Sequence, residues 1–256
     1  MNVKSRVQDQ FSRYVERYVD STVHARGTSL VRLVELLNPQ PTDLLLDIAT
    51  AAGHTALALS PHVSQVVATD LTAQALPRAR ALARDRCLAV PLLAVADAEC
   101  LPFPDHCFDL VTCRLALHHF PRPRLAVSEM ARVCRPGGRI GLVDNVVPED
   151  EEADAFINAF EAHRDPSHFR EHPLSALRRF MEEAGARVTH TEVNAKTMDF
   201  AAWAWRMNVS EEGQAYLRAM LDRAPSTAQE SLQPRHVEGA LKFNLLEGLL
   251  VGVVDG

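Results

Sequence analysis

Short apolar runs and amphipathic stretches alternate along the chain. Leu44-Leu45-Leu46 runs into Asp47, and residues 63–68 lead to Asp70. Residues 92–96 end at Asp97, residues 108–113 at Arg114, and residues 139–143 at Asp144. The stretches between them, 56–60, 73–86 and 123–133, have helical spacing. Thr72 is a candidate N-cap for the second, and Pro77 must sit in its first turns or kink it. Arg135-Pro136-Gly137-Gly138 reads as a turn into the last strand. The alternation predicts parallel strands joined by right-handed crossovers, with helices on both faces.

The flanks break that rhythm. Val7, Phe11, Tyr14, Val15 and Tyr18 fit one amphipathic helix, and Leu30, Leu33, Val34 and Leu37 fit a second, stopped by Asn38-Pro39. Beyond Asp144, residues 148–152 are acidic and 156–163 look helical, until Arg164-Asp165-Pro166-Ser167-His168 interrupts the pattern. Ser175 is positioned to cap a helix over 176–183 that Gly185 ends. Residues 188–193 read as a strand, 199–224 as helical, and 245–254 as a closing apolar strand. The expected organisation is an N-terminal helical lid (1–37), a cofactor-binding core (38–145), an insertion over the active face (146–185) and a C-terminal part completing the sheet (186–256).

Composition narrows the function. At 256 residues and 47% hydrophobic the chain can bury a substantial core, and no apolar run approaches the ~20 residues that cross a bilayer. The polar N-terminus lacks an apolar signal core, so a cytoplasmic location is expected. A net charge of −6 offers no basic footprint for nucleic acid, which favours a small-molecule partner. Five cysteines without a Cys-x-x-Cys pair predict reduced thiols rather than disulfides or a zinc knuckle.

A strand that ends in Asp47, turns through Ile48-Ala49-Thr50-Ala51-Ala52-Gly53 and starts a helix is how an α/β fold brings backbone close to a nucleoside cofactor. Asp70, 23 residues beyond Asp47, stands near the offset of a ribose-binding acid. Taken singly, Asp47 or Asp97 reads equally as a helix cap. Leu71 reads equally as core, and Arg114 as the partner of a surface acid.

Together, residues 46–55, Ala68-Thr69-Asp70, Asp97-Ala98-Glu99-Cys100-Leu101-Pro102-Phe103-Pro104-Asp105, Phe108-Asp109-Leu110-Val111 and Arg135-Pro136-Gly137-Gly138 carry a family pattern. They resemble the class I S-adenosylmethionine-dependent methyltransferases, most of all the group that includes the ubiquinone and menaquinone methyltransferases. The likeness spans about residues 40–145. It implies a Rossmann-like α/β fold with a seven-stranded sheet flanked by helices. The last strand would be antiparallel and supplied by residues 245–254, with the insertion before strand six. Asp47 would orient the loop or hold the methionine amine, and Ala49, Thr50 and Gly53 would let backbone approach S-adenosyl-L-methionine. Asp70 would take the ribose hydroxyls and Leu71 the adenine face. Asp97 and the Ala98 N–H would read the adenine edge, and Arg114 would face the methionine end. Ala51 departs from the pattern, which usually has glycine there. A methyl group costs little at negative φ and about 1 kcal/mol or more at positive φ.

The implied activity is methyl transfer to an oxygen, carbon or nitrogen of a small apolar or aromatic molecule. An inactive cofactor-binding scaffold or sensor is the alternative, followed by an NAD-dependent oxidoreductase. His118 and His119 are the first candidates for proton handling, and His168 in the insertion is the next. Each histidine also reads as a turn or surface residue. His163, His168 and His172 have no diagnostic ligand spacing, so no metal is assigned. Glu99 and Asp105 are expected in solvent or turns. Tyr14, Tyr18 and His24 are lid candidates, and Phe200, Trp203, Trp205 and Met207 could roof an acceptor pocket. The N-terminal helices and the C-terminal strand are the candidate surface of a homodimer.

Overall fold

The computed structural model describes residues 3–19 and 27–256, with the backbone alone for 14–19. The lid candidates Tyr14, Tyr18 and His24 therefore lie outside the described side chains. Strands β1 (Leu44–Ile48), β2 (Gln65–Asp70), β3 (Leu92–Val95), β4 (Phe108–Arg114) and β5 (Cys134–Val147) are parallel. β6 (His172–Pro173) adds a short parallel pairing to β5, while β7 (Ala186–Asp199), β8 (Arg235–Val237) and β9 (Ala240–Val254) complete the sheet. The main path runs β3-β2-β1-β4-β5-β9-β7. β9 is antiparallel to both of its neighbours. β1 is continuously apolar before its acid because it is paired on both edges and covered on both faces.

Helix α1 (Val3–Val19) precedes α2 (Thr28–Leu37), whose Leu33 and Leu37 are fully buried on the sheet. That close approach needs Gly141 in β5, since a Cβ there would meet Leu33 Cδ1 at 2.6 Å. α3 (His54–Leu59) and α4 (Leu76–Asp85) follow β1 and β2, and α5 (Pro123–Val133) links β4 to β5. α6 (Glu151–Arg164) and α7 (Leu174–Glu183) separate β5 from β7. α8 (Phe200–Arg206), α9 (Glu211–Asp222) and α10 (Ser226–Leu232) lie between β7 and β8.

Several boundaries differ from the sequence pattern. The acidic run begins a helix, because Asp150 accepts from the Ala153 N–H at 2.9 Å and Glu151 and Glu152 lie in the favourable first turn. Thr72 and Ser175 do not cap. α4 starts three residues past Thr72, after Ala75, and Ser175 lies inside α7, where its Oγ donates to Glu149. The helical stretch after Asp199 divides where Ser210 caps α9 through the Gly213 N–H. α10 and β8 carry too few periodic apolar positions to be read beforehand.

The C-terminal strand is not a dimer surface. β9 lies between β5 and β7, and Leu249, Leu250 and Val251 are buried within the chain. Apolar character that reads as a sticky edge belongs to an interior strand, whose backbone groups are already paired. All five cysteines are free thiols, with Cys113 and Cys134 buried in β4 and β5.

Candidate active site

The chain leaves β1 towards β2 and β3 on one side, and β4 and β5 lie on the other. The crevice at the C-terminal ends of β1 and β4 is therefore the topological switch point, where open α/β sheets bind ligands. An open cleft of about 1020 Å³ lies there. Its walls include Asp47, Ala49, Thr50, Asp70, Leu71, Asp97, Ala98 and Arg114. Of the residues singled out for the cofactor, Gly53 is not part of this wall. It works from behind: its φ is +85°, and a Cβ would meet Ala79 Cβ at 2.9 Å, so glycine lets α3 pack against α4.

Asp47 is buried and holds the loop. Its carboxylate accepts from Thr50 Oγ1 at 2.6 Å and Thr112 Oγ1 at 2.7 Å. Burial pushes its carboxyl up to about 6, against the opposing pull of these hydroxyls, the Ala56 backbone and Arg114. Asp70 stands at the end of β2 and accepts from the Ala51 N–H at 2.9 Å and the Thr72 N–H at 2.8 Å. Each oxygen retains lone-pair capacity, so the carboxylate orders the turn and can still meet a diol. Arg114 is buried with its guanidinium 3.3–3.4 Å from Ser29 Oγ.

Ala49 and Ala51 have φ of 53° and 48°, so both methyl groups sit in the left-handed region. Ala51→Gly is expected to relieve about 1 kcal/mol at that position and to tighten cofactor binding several-fold, since the Ala51 N–H is one of the bonds that fix Asp70. Calorimetry on the two proteins checks this, and weaker binding by the glycine variant would count against it.

The sequence missed the lid contacts. Lys4 Nζ on α1 reaches Asp97 at 2.5 Å and Glu99 at 2.6 Å. Glu99 is not a solvent residue: it is buried and accepts from Arg122 N at 2.6 Å and Arg122 Nε at 3.0 Å. Gln8 Nε2 donates to the Leu71 carbonyl at 3.1 Å, so α1 spans the adenine side of the cleft.

A family profile described as "Methyltransferase domain" matches residues 46–142. YcgJ of Bacillus subtilis (strain 168), an uncharacterized methyltransferase, is 42% identical over 165 residues, covering 64% of this chain and 65% of YcgJ. The ubiquinone/menaquinone biosynthesis C-methyltransferase UbiE of Cupriavidus pinatubonensis is 36% identical over 110 residues, covering 42% of this chain and 45% of its own length. The crystal structure of the BH2331 protein of Bacillus halodurans C-125 superposes with a TM-score of 0.85 at 35% identity, covering 90% of this chain and 100% of that one. The chain belongs to the class I S-adenosylmethionine-dependent methyltransferases.

The methyltransferase has a second cleft, about 510 Å³, that adjoins the first through Phe11, Leu115 and His119. Leu115 has φ 57°, a strained turn directly after β4, and the Phe11 ring meets His119 edge-on at 5.1 Å. His118 and His119 lie in the 3₁₀ turn Leu117–His119. His118 Nδ1 lies 2.5 Å from Asp144 Oδ1, and its backbone N–H donates to Asp144 Oδ2 at 2.7 Å. Burial disfavours the imidazolium, but the Asp144 carboxylate outweighs it and raises His118 to about 9. His119 Nδ1 lies 3.1 Å from the Ser167 carbonyl, which only an N–H can satisfy, leaving Nε2 as an acceptor. Burial and the neighbouring His118 charge push His119 down to about 4.

His168 lines neither cleft. It is buried, its Nε2 donates to Asn158 Oδ1 at 3.0 Å, and burial with the nearby His118 charge holds it down to about 3. The histidines of the insertion are not gathered around one point: His163 is exposed against Tyr216, and His172 packs edge-on to Phe180. Trp203 and Met207 line the second cleft, whereas Phe200 is packed in the core and Trp205 is 58% exposed. Among the described residues no helix is long and apolar enough to cross a membrane.

Proposed function

We propose that the methyltransferase methylates an oxygen, carbon or nitrogen of a small molecule held in the second cleft. The observation that carries this reading is the contact of two clefts at Phe11, Leu115 and His119, one with nucleoside-type donors and acceptors and one with a mixed wall. When bound, S-adenosyl-L-methionine supplies an activated methyl group on a sulfonium and leaves as S-adenosylhomocysteine. The residues of the first cleft fit that molecule. Asp70 presents two oxygens for the ribose diol, Leu71 an apolar face for adenine, Asp97 and the Ala98 N–H an acceptor and a donor for its edge, and Arg114 a cation for the carboxylate end. Asp47, Thr50 and Gly53 keep the loop in place, so that Ala49 and Ala51 let backbone pass close by. Lys4 must share Asp97 with the adenine amine or leave it.

Alignment does most of the work in such a transfer. His118, paired to Asp144, is an imidazolium near neutral pH and favours the ionised form of an acceptor oxygen beside it. His119 offers a neutral Nε2 at the junction of the clefts, and His168 positions the turn through Asn158. Residues 1–37 act as a lid on the core (38–145), with 146–185 covering the active face and 186–256 completing the sheet. This reading describes a cytoplasmic enzyme acting on an acceptor with an apolar or aromatic body, and the net charge of −6 argues against nucleic acid.

Calorimetric titration with S-adenosylmethionine, S-adenosylhomocysteine and NADH tests the cofactor. Both adenosyl compounds are expected to bind and NADH to give no heat. Failure of both adenosyl compounds to bind would sink the proposal, and binding without turnover across an acceptor screen would leave a scaffold.

A further inference from the structure

The second cleft is charged in a way that the sequence concealed. Arg164 comes from the end of α6, Lys196 from β7 and Arg206 from the end of α8, and the three converge on one wall. In a chain of net charge −6 this is a local inversion of sign. The single carboxylate in that wall is Asp165, whose Oδ1 already accepts from the Ser167 N–H at 2.8 Å and Oγ at 2.5 Å. Glu161, which pairs with Arg164 at 2.9 Å, and Glu247, 3.4 Å from Lys196 Nζ, are not among the residues that face the cleft. Lys196 also donates to the neutral Asn145 Oδ1 at 3.1 Å. The counter-charges thus stand behind the cations, and the potential inside the cleft is positive.

Opposite the cations the wall is apolar, formed by Met198, Trp203, Met207 and Leu245. The Arg164 guanidinium lies over the Trp203 ring at 4.9 Å, which fixes where charge and apolar surface meet. Trp203 Nε1–H is buried and has no hydrogen-bond acceptor among the described residues, a donor that a ligand oxygen reaching it would satisfy. Three cations with a preformed fork geometry suit a planar carboxylate or a phosphate, and a neutral acceptor would leave them facing an apolar body without return.

We infer that the methyl acceptor is an organic anion, with a carboxylate or phosphate seated among Arg164, Lys196 and Arg206 and an apolar body against Met198, Trp203 and Met207. This rests on the second cleft being the acceptor site. It refines the apolar acceptor by adding a charged head.

The test is calorimetric titration of the full-length protein, saturated with S-adenosylhomocysteine, with benzoate, phenyl phosphate and the neutral benzyl alcohol. One of the anions should bind about ten-fold or more tightly than benzyl alcohol, and its affinity should fall as sodium chloride is raised. The stronger of the two anions tells a carboxylate head from a phosphate. The preference should vanish in a Lys196→Met/Arg206→Gln double variant that still binds S-adenosylhomocysteine and retains its circular dichroism. Equal affinities, no binding of either anion, salt-independent binding by the unmodified protein, or a preference that survives in the double variant would overturn the inference. Anion preference in protein that takes up no adenosyl compound would sink the proposed function and leave the anion site standing.

Discussion

Asp70→Asn is expected to weaken S-adenosylhomocysteine binding by about 100-fold while leaving the protein folded. The Asp70 carboxylate accepts from the Ala51 and Thr72 N–H groups, one on each oxygen. An asparagine can accept at one oxygen only, and its amide group would point a donor at the other N–H. The turn that carries the positive-φ Ala51 would then lose a restraint at the same time as the diol loses its charged acceptor. Burial raises the Asp70 pKa, so the native carboxylate is held ionised at a cost. Neutralising it removes that cost, and the melting temperature should move by no more than a few degrees. Calorimetry together with thermal melts checks both halves. An affinity within about three-fold of the unmodified protein would show that Asp70 is a turn residue alone.

Asp144→Asn is expected to destabilise the protein by about 3 kcal/mol at pH 6.5 and to change the shape of its pH–stability curve. His118 moves from an ordinary 6.5 to about 9 in the folded protein. Its contribution, about 3 kcal/mol, is therefore complete below pH 6.5 and is lost as pH rises from there through 9. Asp144 is lowered by the same contact, so its share is present above the ordinary carboxylate range and is lost as pH falls through its folded value. His119 and His168 act in the opposite sense to His118. Held down to about 4 and about 3, they refuse protons that the unfolded chain accepts below pH 6.5, which makes stability fall on the acid side. Denaturant unfolding across the range should give a maximum near pH 6.5. In the Asp144→Asn protein the alkaline arm should flatten and the acid arm persist. An unchanged alkaline arm would mean that His118 is not held as a cation by Asp144.

The core of the fold was legible because its signals are local. Strands buried on both faces read as continuous apolar runs, and the acids ending β1 and β2 and following β3 sit where a parallel sheet places its carboxyl ends. Those acids, with the small-residue turn between Asp47 and Gly53, located the first cleft to the residue. The long C-terminal strand was equally visible, but its neighbours were not. A run of apolar residues does not say whether both edges are paired, so an interior strand read as a sticky surface.

The second cleft was not legible, and the reason is geometric. Arg164, Lys196 and Arg206 are separated by helices and strands, each looks like an ordinary surface cation, and no spacing links them. Asp144 was a strand terminus until folding set it 2.5 Å from His118 Nδ1. Glu99 was a turn acid until Lys4 and Arg122 closed on it. His168 looked like a base until its ring was buried against Asn158. The sequence by itself determined the sheet core, the crossovers and the residues that meet the cofactor, because each is a nearest-neighbour pattern along a strand and its turn. Only the tertiary structure decided the protonation of the histidines and the sign of charge in the acceptor cleft. Both depend on burial and on distances between residues far apart in the chain.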